Sequence, residues 1–206
     1  MREYPLTETQ LGMFLEWNAD RASTRYNVAC VHKLPKTIDR DRLEKALLAY
    51  VAAHPVCRTR VVERDGAFMQ VEDDSLTVKV ERLSMTEEEA DAYEREGVRP
   101  FDLLAGPLCR FAIIDTPLGC RLFVDMFHTI TDGSAHCAFC DFVSAAYCGK
   151  EPPKEEVAFA DYAIGEAESF NTPAYAEAAA ECRRRFAGRS MTTVEPNAGA
   201  VRASAN

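Results

Sequence analysis

His128, Asp132 and Gly133 lie in the run DMFHTITDGS, residues 125–134, and make an H-x-x-x-D-G. Imidazole is the side chain best suited to take up and release a proton near neutral pH. A carboxylate four residues on can orient that ring as in an acid–base dyad, or it can hold the loop. Gly133 permits close backbone approach, both for the turn and for a substrate. The residues alone leave two readings side by side. One is a proton-transferring histidine, and the other is a lone loop histidine hydrogen-bonded to Asp132.

The flanking segments decide where such a histidine sits. Before it, Leu122, Val124 and Met126 alternate against a second face, the period of a strand over 121–127. After it, Ser134 is suited to cap a helix whose apolar positions Ala135, Ala138, Phe139, Phe142, Val143 and Ala146 recur at helical spacing. His128 therefore falls on a strand-to-helix connection, where rigid elements present a side chain to a cleft.

The remaining pattern is α+β without internal repeats. Thr7 caps a helix to about residue 18, with Leu11, Phe14 and Leu15 on one face. A strand covers 26–34. Asp39 or Asp41 opens a helix with Leu43, Ala46, Leu47, Tyr50 and Val51 as its buried stripe. Strands at 58–63 and 67–72 make a hairpin across Asp65-Gly66, and 76–83 adds another. Residues 84–89 read as a capped, acidic first turn of a helix that ends before Pro100. Strands at 109–115 and 120–127 follow, then the Ser134 helix, a break over 149–154, and helices at 159–169 and 173–186.

Composition bounds the function. The 206 residues are 47% apolar, enough for a buried core. No run reaches the roughly 20 apolar residues a bilayer span needs, and the N-terminus lacks an apolar signal core. The expectation is a cytoplasmic protein without membrane contact. With 33 acidic and 24 basic residues the net charge is −9, and Arg183-Arg184-Arg185 reads as a basic last helical turn, so nucleic acid is excluded as a partner. The eight cysteines lie mostly in apolar periodic segments and are expected to be reduced, buried and unpaired. His136-Cys137-Ala138-Phe139-Cys140 holds a C-x-x-C, but no second ligand pair follows at zinc spacing, so no metal is expected.

Four ordered segments resemble one family. Residues 125–134 are similar to the H-H-x-x-x-D-G signature of nonribosomal peptide synthetase condensation domains, within the chloramphenicol-acetyltransferase-like superfamily. Residues 4–14 (YPLTETQLGMF) resemble their opening motif, in which a Gln stands near the start of the first helix. Residues 53–61 (AHPVCRTRV) resemble the second motif, R-H-E-x-L-R-T-x-F, with Ala53 and Pro55 replacing Arg and Glu. Residues 99–110 (RPFDLLAGPLCR) resemble the P-F-D-L…G-P-L-x-R segment. One departure stands out: Phe127 occupies the place of the first motif histidine, while His128 matches the second, to which catalysis is usually assigned.

The resemblance implies a chloramphenicol-acetyltransferase-like lobe with a mixed, mostly antiparallel sheet flanked by helices. Residues 1–188 would be the N-terminal lobe and 189–206 a linker or disordered tail. It implies amide formation by acyl transfer from thioesters on the phosphopantetheine arms of carrier-protein domains, with no tightly bound cofactor. His128 is then the catalytic residue. Asp132 pairs structurally with an arginine, Arg58 first and Arg110 second, and Gly133 lies at the active site. The family's second lobe has no counterpart in this sequence, so the expectation is a lobe inactive alone, completed by a second lobe or by self-association. A coenzyme A-dependent O- or N-acyltransferase of the same fold and a non-catalytic docking lobe remain as alternatives.

Overall fold

Residues 1–189 are described by the computed structural model. Along the chain come β1 (Glu3–Pro5), α1 (Glu8–Ala19), β2 (Asn27–Leu34), α2 (Arg40–Ala53), β3 (Thr59–Arg64), β4 (Ala67–Glu72), β5 (Val80–Ser84), α3 (Glu87–Glu96), β6 (Cys109–Asp115), β7 (Cys120–Phe127), α4 (Gly133–Tyr147), α5 (Phe159–Ser169) and α6 (Pro173–Phe186). A four-stranded sheet runs β2-β7-β6-β5, antiparallel except for the parallel β5–β6 pair. A second sheet, β1-β4-β3, is antiparallel.

The strand leading to His128 is buried along its whole length. Leu122, Val124 and Met126 pack with Leu47 and Tyr50 of α2 and with Phe139 and Val143 of α4. On the opposite face Phe123 meets Ala90 of α3 and the edge of Tyr93. Two-sided burial holds β7 against rotation or slip, because a one-residue shift would exchange its faces. Arg121, on that second face, draws α3 down through Glu87, Asp91 and Glu94 at 2.5–2.6 Å.

Local chemistry sets the ends of the elements. Thr7 and Thr86 close capping boxes with Gln10 and Glu89, and Asp39 caps α2 through the Arg42 N–H. The hairpin turns at Asp65 and Gly66 with φ of 51° and 80°, the left-handed pair that a tight turn demands. Two readings are corrected. Leu15 is half exposed, and the buried face of α1 is Gln10, Phe14 and Trp17, because the Trp17 indole N–H reaches the Phe101 carbonyl at 2.9 Å. The strand expected from residue 76 begins at Val80, because Asp73 accepts hydrogen bonds from Ser75 Oγ and N and turns the chain there.

The chain divides into two compact units, residues 1–167 and residues from 168 on. In the second, Thr172 caps α6 and Arg183, Arg184 and Arg185 fill its last turn. The linker expected at 189–206 lies, beyond Arg189, outside the described residues. No helix among those described is long and apolar enough to cross a membrane.

Candidate functional site

His128 occupies the first position past β7 and opens a tight turn into α4. Its N–H donates to the Tyr26 carbonyl at 2.8 Å, extending the β2–β7 ladder by one rung, and Ile130 N–H returns to the Phe127 carbonyl at 3.0 Å. The backbone that carries the ring is thus pinned on both sides. The imidazole is half-buried, and among the described residues neither ring nitrogen has a hydrogen-bond partner. The ring is held in place by its backbone alone, with no carboxylate to orient it among the described residues.

The turn is held from below by an amide network that the sequence reading did not include in the site. Gln10 Nε2 donates to the Thr129 carbonyl at 2.7 Å. Its Oε1 accepts from Gln70 Nε2 at 2.8 Å and from the Thr7 N–H at 3.1 Å. Gln10 and Gln70 are both almost wholly buried. One side chain therefore closes the cap of α1, clamps β4 and fixes the residue after His128. Its presence in the opening motif was the available signal.

Asp132 serves the helix. It is the N-cap of α4, Oδ1 accepting from the Ala135 N–H at 2.7 Å, and it is exposed. The cap expected at Ser134 falls to Asp132, and Ser134 lies inside the first turn. Neither arginine expected as its partner reaches it. Arg58 bonds to the Val51 carbonyl and pairs with Asp74 at 3.5 Å, tying α2 to the segment after β4. Arg110 pairs with Asp125 at 3.1 Å.

The enclosed carboxyl of β7 is Asp125, its side chain opposite Arg110 of β6. Asn27 Nδ2 donates to both of its oxygens at 2.9 and 3.1 Å. Burial pushes the Asp125 carboxyl up, opposed by Asn27 and Arg110, and burial pushes the Arg110 guanidinium down. Arg110 also donates at 2.5 Å to the carbonyls of Arg99 and Pro100 and stacks 3.7 Å from the Phe101 centroid. The R-P-F-D-L…R segment is thus a self-closing clasp that seats Phe101 and Leu103 beside Phe127. Gly106 completes it at φ 60°, where a Cβ would sit 2.7 Å from the Thr59 carbonyl oxygen.

Phe127 is buried among Phe101 and Tyr26, so the site of the motif's first histidine is core here. Gly133 does not have the role expected in the turn. Its φ is not left-handed, and a Cβ there would meet nothing within 4 Å.

The cysteines divide by environment. All eight are free; Cys57, Cys109 and Cys120 are buried, whereas Cys137, Cys148 and Cys182 are exposed, correcting the expectation of general burial. Helix spacing explains it: Cys137 falls off the stripe of α4 that holds Phe139, Phe142 and Val143. Cys140 and His136 instead face His32 of β2. Burial, then the adjacent His136, pushes His32 below the usual imidazole range.

Residues 1–193 match the family profile described as Condensation domain. Surfactin synthase subunit 2 of Bacillus subtilis (strain 168) is 29% identical over 171 residues, covering 82% of this chain and 5% of that protein. Tyrocidine synthase 2 of Brevibacillus parabrevis is 28% identical over 193 residues, covering 93% and 5%. A crystal structure of a doubly substituted starter condensation domain of the rhizomide synthetase RzmA superposes with a TM-score of 0.84 at 19% identity, covering 94% of this chain and 50% of that one. That likeness is one of fold. The chain spans about half the length of the solved domain and about one-twentieth of these synthetases.

Proposed function

The chain belongs to the condensation-domain family, and we propose that it is the histidine-bearing lobe of an amide-forming acyltransferase acting on thioester donors carried by phosphopantetheine. The observation that carries this reading is the placement of His128. Its backbone is fixed by Tyr26 and, one residue on, by Gln10, while its ring nitrogens are free to meet a substrate.

The chemistry follows from that geometry. An acceptor amine attacks the thioester carbonyl, the new C–N bond forms, and collapse of the tetrahedral intermediate breaks the C–S bond. His128 takes the proton that the amine must lose, and the thiolate leaving group is protonated in turn. A positioned base of this kind is worth about 10²–10⁴-fold in rate. Asp132 acts through the helix rather than the ring, and the clasp around Arg110 holds the wall behind Phe127.

Carrier-protein domains are the partners this chemistry calls for, and the cytoplasm is the compartment that fits free thiols. A second lobe would supply the other side of the substrate channel, because proximity effects worth about 7–11 kcal/mol need both reactants held in line. A coenzyme A-linked donor is the second reading. A starter condensation domain of the rhizomide synthetase RzmA (TM-score 0.79, 20% identity) has been crystallised in complex with C8-CoA and Leu-SNAC.

The test is acyl transfer from carrier-linked and coenzyme A-linked thioesters, run on the 206-residue chain and on a chain extended through a second lobe of this family. Turnover only in the extended chain, lost in His128→Ala, is the expected result. Turnover in the short chain that His128→Ala abolishes would show that one lobe suffices. Turnover that survives His128→Ala in both would overturn the assignment.

A further inference from the structure

In sequence the C-x-x-C of α4 has no second ligand pair, but in space β2 brings His32 to His136 and Cys140, 104 and 108 residues away. His32 Nε2 lies 3.2 Å from His136 Nε2 and 4.0 Å from Cys140 Sγ. All three donor atoms fall within 4.8 Å of one another. His136 and Cys140 are one helical turn apart on the same side of α4, and the two imidazoles stack 5.2 Å apart with planes 8° from parallel. We propose that His32, His136 and Cys140 form a zinc site clamping the edge strand β2 to α4, independent of the acyl-transfer chemistry.

The distances suit the ion. Zinc about 2.0–2.1 Å from each nitrogen and about 2.3 Å from sulfur, at tetrahedral angles, sets the two nitrogens roughly 3.3 Å apart and each roughly 3.6 Å from the sulfur. Side-chain rotations bring the 3.2 and 4.0 Å separations, and the His136–Cys140 separation of at most 4.8 Å, to those values. Two imidazoles and one thiolate are a donor set that favours zinc over the hard cations magnesium and calcium. Three protein ligands leave the fourth position to water, with Cys137 exposed one residue from His136. His32 and Cys140 also line a mostly apolar cavity of about 250 Å³ with Phe139, Leu122 and Tyr147. Neither Nδ1 has a hydrogen-bond partner among the described residues, so nothing fixes the two rings from behind and the ion exchanges with chelator.

The test uses the untagged 206-residue chain, stripped with chelator and titrated with Zn²⁺ by calorimetry, with Co²⁺ as the spectroscopic probe. One equivalent is expected, with a thiolate-to-cobalt charge-transfer band and tetrahedral visible bands. Zn²⁺ should raise the thermal midpoint. Cys140→Ser should abolish the charge-transfer band, and His32→Ala and His136→Ala should each weaken binding at least about 10-fold. Cys140→Ser is near-isosteric and keeps the test readable should a histidine variant fold poorly. Binding retained in Cys140→Ser but lost in Cys137→Ser, or no stoichiometric binding by the parent, would overturn the site.

Discussion

The carbonyl of Thr129 accepts a 2.7 Å hydrogen bond from Nε2 of Gln10, joining the first helix to the residue after the candidate base. Gln10 is enclosed, and its Oε1 accepts from Nε2 of Gln70, also enclosed, and from the Thr7 N–H. Replacing one amide strands the other. Gln10→Met should destabilise the chain by about 1–3 kcal/mol, the cost of a buried polar group left unsatisfied. Denaturant unfolding measures it. Adding Gln70→Met should cost less than the two single changes summed, since the double variant strands fewer groups. Strict additivity would mean that the two amides do not work as a pair.

Asp132 is an exposed helix cap, and that sets the size of its effect. Asp132→Ala should cost about 1 kcal/mol, the usual loss for a cap residue, and Asp132→Ser should recover most of it. A loss of about 3–5 kcal/mol would require a buried ion pair. Rescue by serine separates the two, because a hydroxyl can cap a helix but cannot pair with an arginine. Serine failing to rescue would sink the capping account.

The ion pair that does warrant such a cost is Arg110–Asp125. Arg110→Met removes the partner of a fully enclosed carboxylate and should cost about 3 kcal/mol, the lower end for breaking a buried pair, because the Arg110 side chain keeps 26% exposure. The pH dependence has a definite sign. Burial raises the Asp125 pKa, so the folded state binds its proton more tightly than the unfolded chain does. Stability from this group is therefore lost as pH rises through the folded value. Without Arg110 the pKa rises further. The deficit of Arg110→Met should be larger near about pH 7 than near about pH 4, and Arg110→Met with Asp125→Asn should lose that dependence. A deficit that grows on acidification would contradict the pairing.

The parts of the fold that were legible in the sequence were those governed by local periodicity. The stripe Leu43, Ala46, Leu47, Tyr50 and Val51 and the strand ending at Phe127 follow from spacing alone, and both are as expected. What stayed hidden depends on which side chain reaches which across the fold. Asp132 carries the motif, and the motif points to an arginine partner that the fold does not bring to it. The arginine's true partner, Asp125, lies directly across from Arg110 in a strand register that no spacing reveals. His32 likewise joins His136 only once β2 pairs with β7 and α4 covers that edge. Gln10 was visible as a motif residue, but its reach to Thr129 was not. The three residues of β1 are too few to show a period, and what places them is Tyr4 packing against α5.

Gly133 tests whether a substrate passes over the start of α4. Within this lobe nothing requires a glycine there: the backbone is not left-handed, and an added methyl would meet no atom within 4 Å. At a first helical position alanine is the better helix former, so Gly133→Ala should leave the thermal midpoint unchanged or slightly raised. In a chain extended through a second lobe the same methyl would project beside the turn that carries His128. If the donor's phosphopantetheine arm runs there, KM for the carrier-linked thioester should rise while kcat stays near the parent value, the pattern of lost binding rather than lost chemistry. Gly133→Val should enlarge that effect without a matching loss of stability. An unchanged KM in both variants would remove Gly133 from the substrate path, and a falling thermal midpoint would return its role to the fold.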